Sequence, residues 1–72
     1  MTEKTIPKGK YRHFKGKNYW VDGVVEHSET GELLVIYHAL YGEWKGYARP
    51  LKMFTERVER NGYQGPRFTL VK

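Results

Sequence analysis

The sequence contains no cysteine, only three prolines, and no apolar run near the roughly 20 residues that a membrane-spanning helix needs. The lack of cysteine excludes disulfide bridges and thiolate metal sites, and it is compatible with a cytoplasmic protein. No hydrophobic leader opens the chain, so we expect no contact with a membrane. A chain of 72 residues buries only about 60% of its unfolded surface, so we expect one small domain without covalent reinforcement.

Aromatic rings and positive charge are abundant: six Tyr, three Phe and two Trp, with 13 Lys and Arg against 8 Asp and Glu. The formal net charge of +5 favours a polyanionic partner such as nucleic acid. Many of the basic residues, however, lie near the start of the chain, at Lys4, Lys8, Lys10, Arg12, Lys15 and Lys17. A mobile basic arm would explain part of the charge without forming a shaped site. We therefore predict a flexible segment over residues 1–8 and a single domain over residues 9–72.

The longest apolar run, Leu33–Tyr41, ends at Gly42 and is rich in β-branched and aromatic residues. Both the odd-numbered and the even-numbered residues of this run are largely apolar. A strand with one face in water would instead alternate between apolar and polar residues. The pattern predicts a strand that is covered on both faces, at the centre of a small sheet or barrel.

Turn-forming residues divide the rest of the chain into short segments. We expect further strands over Gly9–Phe14, Tyr19–His27, Tyr47–Arg49 and Arg67–Val71, with tight turns at Lys15–Asn18, Ser28–Glu32, Gly42–Gly46 and Asn61–Gly62. A short extended segment that begins at Val58 is the candidate for a sixth strand. Leu51 and Phe54 are three residues apart and predict one helical or 3-10 turn that plugs an end of the fold. These segments indicate an all-β, small antiparallel barrel of five or six strands.

The second predicted strand has a glycine at its centre. Gly23 costs stability there, so it marks a bulge, a bend or the close approach of another backbone. By simple alternation, Tyr19, Val21 and Val25 are expected to share one face of this strand. Trp20 falls on the other, partly charged face and is expected to contact water.

Five blocks of the sequence resemble the short bacterial domain-of-unknown-function family 1653. They are Tyr11–Gly16, His27–Thr30, Tyr37–Gly42, Arg49–Phe54 and Pro66–Phe68. The resemblance covers roughly residues 9–70, and it implies a cytoplasmic bacterial protein with an SH3-like β-barrel and no assigned activity. Where that family often has tryptophan before Val-Arg-Pro, this chain has Tyr47-Ala48-Arg49-Pro50. Either Trp44 fills the same aromatic space or the surface differs there.

The residues do not favour catalysis or a metal site. Three imidazoles, those of His13, His27 and His38, would be needed for zinc, but their predicted strand positions do not bring them to one face. Ser28 and Glu29 follow His27, yet neighbours at a strand end point in different directions, and Ser-Glu-Thr-Gly is good turn chemistry. We therefore expect structural histidines, no metal, no cofactor and no enzymatic activity.

An aromatic and basic surface is the sharpest functional hypothesis. Arg49, close to Tyr47 and Trp44, would present a planar cation to phosphate or carboxylate. For Arg49 itself we favour a structural role, in which it stacks on Tyr41 or pairs with Glu56 and holds the end of the barrel shut. We expect a non-catalytic module that binds a protein or peptide, with a candidate face of Lys15, Lys17, Trp20, Trp44, Tyr47 and Arg49.

Two other functions stay open at this point. The first is weak, largely sequence-independent binding of RNA or DNA, which the positive charge favours. The second is a structural or accessory role as a subunit of a larger assembly. The sequence does not determine the oligomeric state.

Overall fold

The computed structural model describes residues 6–71, which form seven strands and one short helix. In chain order the elements are β1 (Gly9–His13), β2 (Asn18–Glu26), β3 (Leu33–Ala39), β4 (Gly46–Pro50), α1 (Leu51–Phe54), β5 (Arg57–Arg60), β6 (Tyr63–Pro66) and β7 (Phe68–Leu70).

Five of the strands form an antiparallel sheet in the order β4-β3-β2-β1-β7, and β5 and β6 form a separate antiparallel hairpin. The predicted all-β fold with antiparallel strands is therefore confirmed. The predicted barrel is not closed, because no backbone ladder joins β4 to β7 within residues 6–71. The expected five or six strands become seven because Gly65–Pro66, which predicts only a turn, belongs to strand β6.

The bulge predicted at Gly23 is present. Val21 lies opposite Tyr37, but Gly23 lies opposite Ile36, so the register shifts by one residue between them. This extra residue reverses the alternation of side chains: Val24 packs against the core, and Val25 is 47% exposed. The expectation that Val25 shares a face with Val21 is therefore wrong.

Strand β3 is central but is fully covered on one face only. Val35, Tyr37 and Ala39 are buried, whereas the intervening Ile36 and His38 are only half-buried. The predicted cover on both faces is wrong because this open sheet has a single core. We call the buried side of the sheet the inner face and the half-exposed side the outer face.

Helix α1 confirms the helical turn predicted at Leu51 and Phe54, and it lies against the inner face of the open sheet. Pro50 precedes it with a φ of −52°, and the backbone N–H and the hydroxyl of Thr55 both donate to the Leu51 carbonyl. The Phe54 ring stacks on Phe68 with ring centres 4.0 Å apart. The core is formed by Tyr11, Val21, Val35, Tyr37, Leu51, Phe54 and Phe68. No helix within the described part of the chain is long and apolar enough to cross a membrane.

The residues before β1 contact the core where the structure describes them. Ile6 packs against it, and the Tyr11 hydroxyl donates to the Pro7 carbonyl at 2.7 Å. Most of the segment predicted to be flexible, residues 1–5, lies outside the described residues, so its flexibility stays a prediction.

Candidate functional site

Four tyrosines form a connected group on the inner face, which we call the tyrosine cluster: Tyr19, Tyr37, Tyr41 and Tyr47. The Tyr19 ring centre lies 5.5 Å from that of Tyr37, 5.6 Å from that of Tyr41 and 6.4 Å from that of Tyr47, each pair meeting edge to face. Tyr37 is buried, whereas Tyr41 and Tyr47 are 37% and 41% exposed. The cluster therefore extends from the core to the surface.

Strand pairing explains why these rings meet. Tyr37 lies directly opposite Tyr47 in the β3–β4 register, and Tyr19 lies opposite Ala39 in the β2–β3 register. Beyond the end of β3, the Leu40 N–H still donates to the Asn18 carbonyl at 3.0 Å. This bond keeps the next residue, Tyr41, beside Tyr19.

The Tyr19 and Tyr41 hydroxyls are hydrogen-bonded at 2.7 Å. Burial raises the pKa of Tyr19, and the hydrogen bond to Tyr41 raises this pKa further. Tyr19 therefore keeps its hydroxyl proton to a higher pH than an ordinary tyrosine. The two hydroxyls offer a hydrogen-bonding group at the rim of the cluster.

Two cations border the tyrosine cluster. The Lys17 ammonium lies 4.7 Å above the centre of the Tyr41 ring. The Arg49 Nε donates to the Tyr37 hydroxyl at 3.1 Å, and the Arg49 guanidinium carbon lies 5.9 Å from the centre of the Phe68 ring. Among residues 6–71, the two terminal nitrogens of Arg49 have no hydrogen-bond partner, so a planar pair of donors is free to bind an anionic group.

Arg49 does not make the structural contacts expected from the sequence. Lys17, rather than Arg49, lies over Tyr41. Arg67, rather than Arg49, pairs with Glu56, through a contact of 3.0 Å between Nη2 and Oε1.

His13 lies between the tyrosine cluster and β7, with its ring centre 4.9 Å from that of Phe68. Burial lowers the pKa of His13, and the positive charges of Arg67, Arg49 and Lys15 lower it further. The backbone N–H of Lys15 donates to the His13 Nδ1 at 3.1 Å, which requires that this nitrogen carry no proton. The imidazole is therefore neutral, and the arginines and lysines carry the positive charge here.

The two tryptophans lie on the outer face. Trp20 is opposite His38 in the β2–β3 register, and the Trp44 ring stacks on His38 with ring centres 6.0 Å apart. The His38 Nδ1 lies 3.1 Å from an Asp22 carboxylate oxygen. Trp44 is 62% exposed and has a positive φ of 57°, which is unusual for a bulky residue. Trp44 therefore does not fill the aromatic space next to Tyr47.

The structure thus divides the six predicted site residues between two faces. Lys17, Tyr47 and Arg49 meet at the tyrosine cluster, and Lys15 lies beside it in the β1–β2 turn. Trp20 and Trp44 are separated from them by the thickness of the sheet.

The sequence prediction omitted three members of the cluster, Tyr19, Tyr37 and Tyr41. These three tyrosines lie on the same face of the sheet as Tyr47. The sequence shows this only if the register of β2, β3 and β4 is already known. The available signal was that Tyr37 and Tyr41 have the same parity in the longest apolar run.

Each histidine has its own local partners. The His27 Nδ1 accepts the Glu29 N–H at 3.1 Å in the β2–β3 turn, while His13 and His38 lie on opposite faces of the sheet. In the part of the chain that is described, no three His, Asp or Glu side chains lie close enough to hold a metal ion.

Comparison with known proteins gives a family. Residues 9–70 match the profile described as "Protein of unknown function (DUF1653)". The crystal structure of a DUF1653 protein from Bordetella bronchiseptica is similar, with 34% sequence identity and a TM-score of 0.85 over 92% of this chain and 87% of that one. No curated protein matches the chain. The resemblance predicted from the sequence blocks is therefore confirmed, and the function has to be argued from the site.

Proposed function

We propose a function for this chain, which belongs to the DUF1653 family of proteins of unknown function. It is a non-catalytic module that binds an extended segment of another protein through the tyrosine cluster, Lys17 and Arg49. The observation that carries this proposal is the position of Arg49 on the same face of β4 as the exposed Tyr47. Its Nε donates to the Tyr37 hydroxyl, and its terminal nitrogens have no hydrogen-bond partner among residues 6–71.

The chemistry of the cluster suits protein recognition. Tyrosine offers a large rigid surface with a polar tip, and ordering it costs little conformational entropy. Tyr41 and Tyr47 also line an open depression with Lys45 and Glu43, so apolar contact area and polar groups lie together. Such a mixture is typical of recognition surfaces for peptides.

The same cluster is less suited to stacking nucleic-acid bases. A stacking platform needs free ring faces, but Tyr19 meets both exposed rings, Tyr41 and Tyr47, edge to face, and Lys17 lies over the face of Tyr41.

A second candidate function, weak binding of RNA or DNA, is favoured by the outer face. Lys10 lies directly opposite Trp20 there, and Trp44 is the more exposed of the two tryptophans. Cations and exposed indole rings on one surface are typical of proteins that bind single strands without sequence preference.

Selection of a displayed library of random peptides on the immobilised protein tests the first proposal. We expect the selected peptides to lose about tenfold or more in affinity for Tyr47→Ala and Arg49→Ala, since such anchors carry most of the binding energy. Trp44→Ala is the matched control and should bind as the parent does. Failure to select any peptide, or dependence on Trp44 instead of Tyr47, would contradict the proposal.

Titration with short RNA and DNA, at low and near-physiological salt, tests the second candidate. Binding that shifts the amide signals around Trp20 and Trp44, and weakens steeply with salt, would favour it. Shifts confined to the basic residues before β1 would show only generic attraction.

We also infer an SH3-like architecture for this curved antiparallel sheet with its helical turn, and a cytoplasmic location. Support for the architecture comes from the contact of Arg49 with Phe68, which brings the two edge strands toward each other.

A further inference from the structure

Strand β4 lies at an edge of the sheet, and its backbone groups alternate in direction. The Ala39 N–H donates to the Lys45 carbonyl at 2.9 Å, so residue 45 directs its backbone groups toward β3. In an antiparallel ladder every second residue has the same orientation. The backbone N–H and C=O groups of Tyr47 and Arg49 therefore also point toward β3. The N–H and C=O groups of Gly46 and Ala48 consequently point away from the sheet.

This outer edge is open. No strand within residues 6–71 pairs with β4 on the side opposite β3. Gly46 and Ala48 are exposed and carry almost no side chain, so another backbone can approach to hydrogen-bonding distance. Natural edge strands are usually covered, or protected by bulky or charged side chains at such positions. An unprotected row of donors and acceptors is a template for strand addition.

The charges next to this edge define the partner. A strand added to β4 would place every second side chain on the inner face, within about 5 Å of Tyr47 and Arg49. Arg49 is a cation on this face of β4, and the exposed Lys45 precedes the strand. A second copy of the chain, pairing antiparallel so that Gly46 meets Ala48, would instead place Arg49 opposite Lys45 of that copy, and like charges across a ladder are destabilising.

We infer that the free edge of β4 accepts an extended, acidic segment of a partner protein as an added antiparallel or parallel strand. The added strand forms backbone hydrogen bonds with Gly46 and Ala48, and its acidic side chains pair with Arg49. The site ends at Pro50, which has no N–H to donate, so the added ladder is short. This inference rests on the proposed function and specifies its binding mode.

Ala48→Pro is the decisive variant. It removes the outward N–H and leaves the ladder between β3 and β4 intact, because proline is tolerated where an edge N–H faces solvent. Ala48→Val is the matched control, since it retains the N–H and has a high preference for strands. Dispersed amide spectra for both variants would show that they remain folded.

The probe is a blocked peptide of alternating Glu and Val, about ten residues long. A second peptide of the same sequence carries an N-methyl group on every residue and cannot donate along either edge, and a third has Lys in place of Glu. We expect the first peptide to shift the amide signals of Gly46 and Ala48, and to bind Ala48→Pro about tenfold more weakly than Ala48→Val. The methylated and Lys-containing peptides should bind the parent protein at least as weakly as the first peptide binds Ala48→Pro.

Other outcomes would overturn the inference in distinguishable ways. Equal binding to Ala48→Pro and Ala48→Val, with signals shifting around Tyr41 and Tyr47, would reject strand addition and keep the tyrosine cluster as a binding site. A concentration-dependent mass in sedimentation that Ala48→Pro abolishes would show that the edge pairs with a second copy. No binding of the acidic peptide would reject the inference alone, because selection of library peptides decides the proposed function separately.

Discussion

The guanidinium carbon of Arg49 lies 5.9 Å from the centre of the Phe68 ring, and this contact connects β4 and β7, the two edge strands of the sheet. Because Arg49 also donates to the Tyr37 hydroxyl, its side chain extends from β3 to β7 across the inner face. No backbone ladder joins the two edges in the region that the structure describes. Side-chain contacts hold the curvature of the sheet there.

Arg49→Ala should therefore destabilise the fold as well as weaken binding. Loss of the hydrogen bond to Tyr37 and of the contact with Phe68 should lower the free energy of unfolding by about 1–3 kcal/mol. Arg49→Lys should recover little of this loss, since an ammonium does not reproduce the planar guanidinium. Urea unfolding measures the effect, with the exposed Arg12→Ala as the control. A midpoint for Arg49→Ala equal to that of the parent would show that the contact contributes nothing.

Phe54→Ala should be much more damaging than Met53→Ala, although the two residues are adjacent in helix α1. Phe54 is buried and stacks on Phe68, whereas Met53 is 42% exposed. Truncating a buried phenylalanine costs about 3–5 kcal/mol, which is comparable to the whole stability of a domain this small. Circular dichroism during thermal unfolding should show little or no transition for Phe54→Ala. Similar melting of the two variants would contradict the assignment of α1 as the plug of the core.

Val35→Asp should abolish folding, because Val35 is fully buried at the centre of β3 and offers no partner to a carboxylate. Val25→Asp places the same charge on the exposed side of the neighbouring strand, beyond the bulge, and should change stability by less than about 1 kcal/mol. Amide spectra distinguish the two cases. A folded Val35→Asp protein would reject the core assignment, and an unfolded Val25→Asp protein would reject the face reversal at the bulge.

Stability should fall as the pH is lowered below neutral, because of His13. Burial, followed by Arg67, Arg49 and Lys15, holds the pKa of His13 below its ordinary value of 6.5. Between its folded pKa and 6.5 the unfolded chain therefore binds more protons. The contribution of neutral His13 to the free energy of unfolding is therefore complete above pH 6.5. It is lost as the pH falls from 6.5 through the folded pKa of His13.

Urea midpoints at about pH 7.5 and 5.5 measure this effect. The decrease in midpoint should be smaller for His13→Gln than for the parent, and His27→Gln, which leaves His13 in place, serves as the control. An equal decrease for His13→Gln and the parent would contradict the proposed role of His13.

Local signals in the sequence were sufficient to predict most of the strands, the turns and the short helix. Gly16, Gly31 and Gly62 have positive φ angles in the turns predicted around them, and Leu51 and Phe54 are buried at the predicted spacing. Strand β6 was missed because Gly65 and Pro66, which usually mark a turn, extend along the hairpin instead.

The candidate site was less accessible to sequence reasoning. Trp20 and Tyr47 are similar aromatic residues on exposed strands, but only the register shows that they lie on opposite faces. The face on which Val25 lies could not be predicted for the same reason. Gly23 indicated a bulge, but it did not show on which face the side chains after the bulge would lie. Register depends on long-range pairing, which propensity and local alternation do not specify.

Strand β7 has a consequence for synthesis of the protein in the cell. It pairs with β1, placing Phe68 opposite His13 and Leu70 opposite Tyr11. The ribosome adds β1 through β4 and helix α1 to the chain before it adds Phe68. Without Phe68, Phe54 lacks the ring that stacks on it, so the core is completed only once β7 is available. A chain truncated before Phe68 should therefore be open to chaperones and proteases.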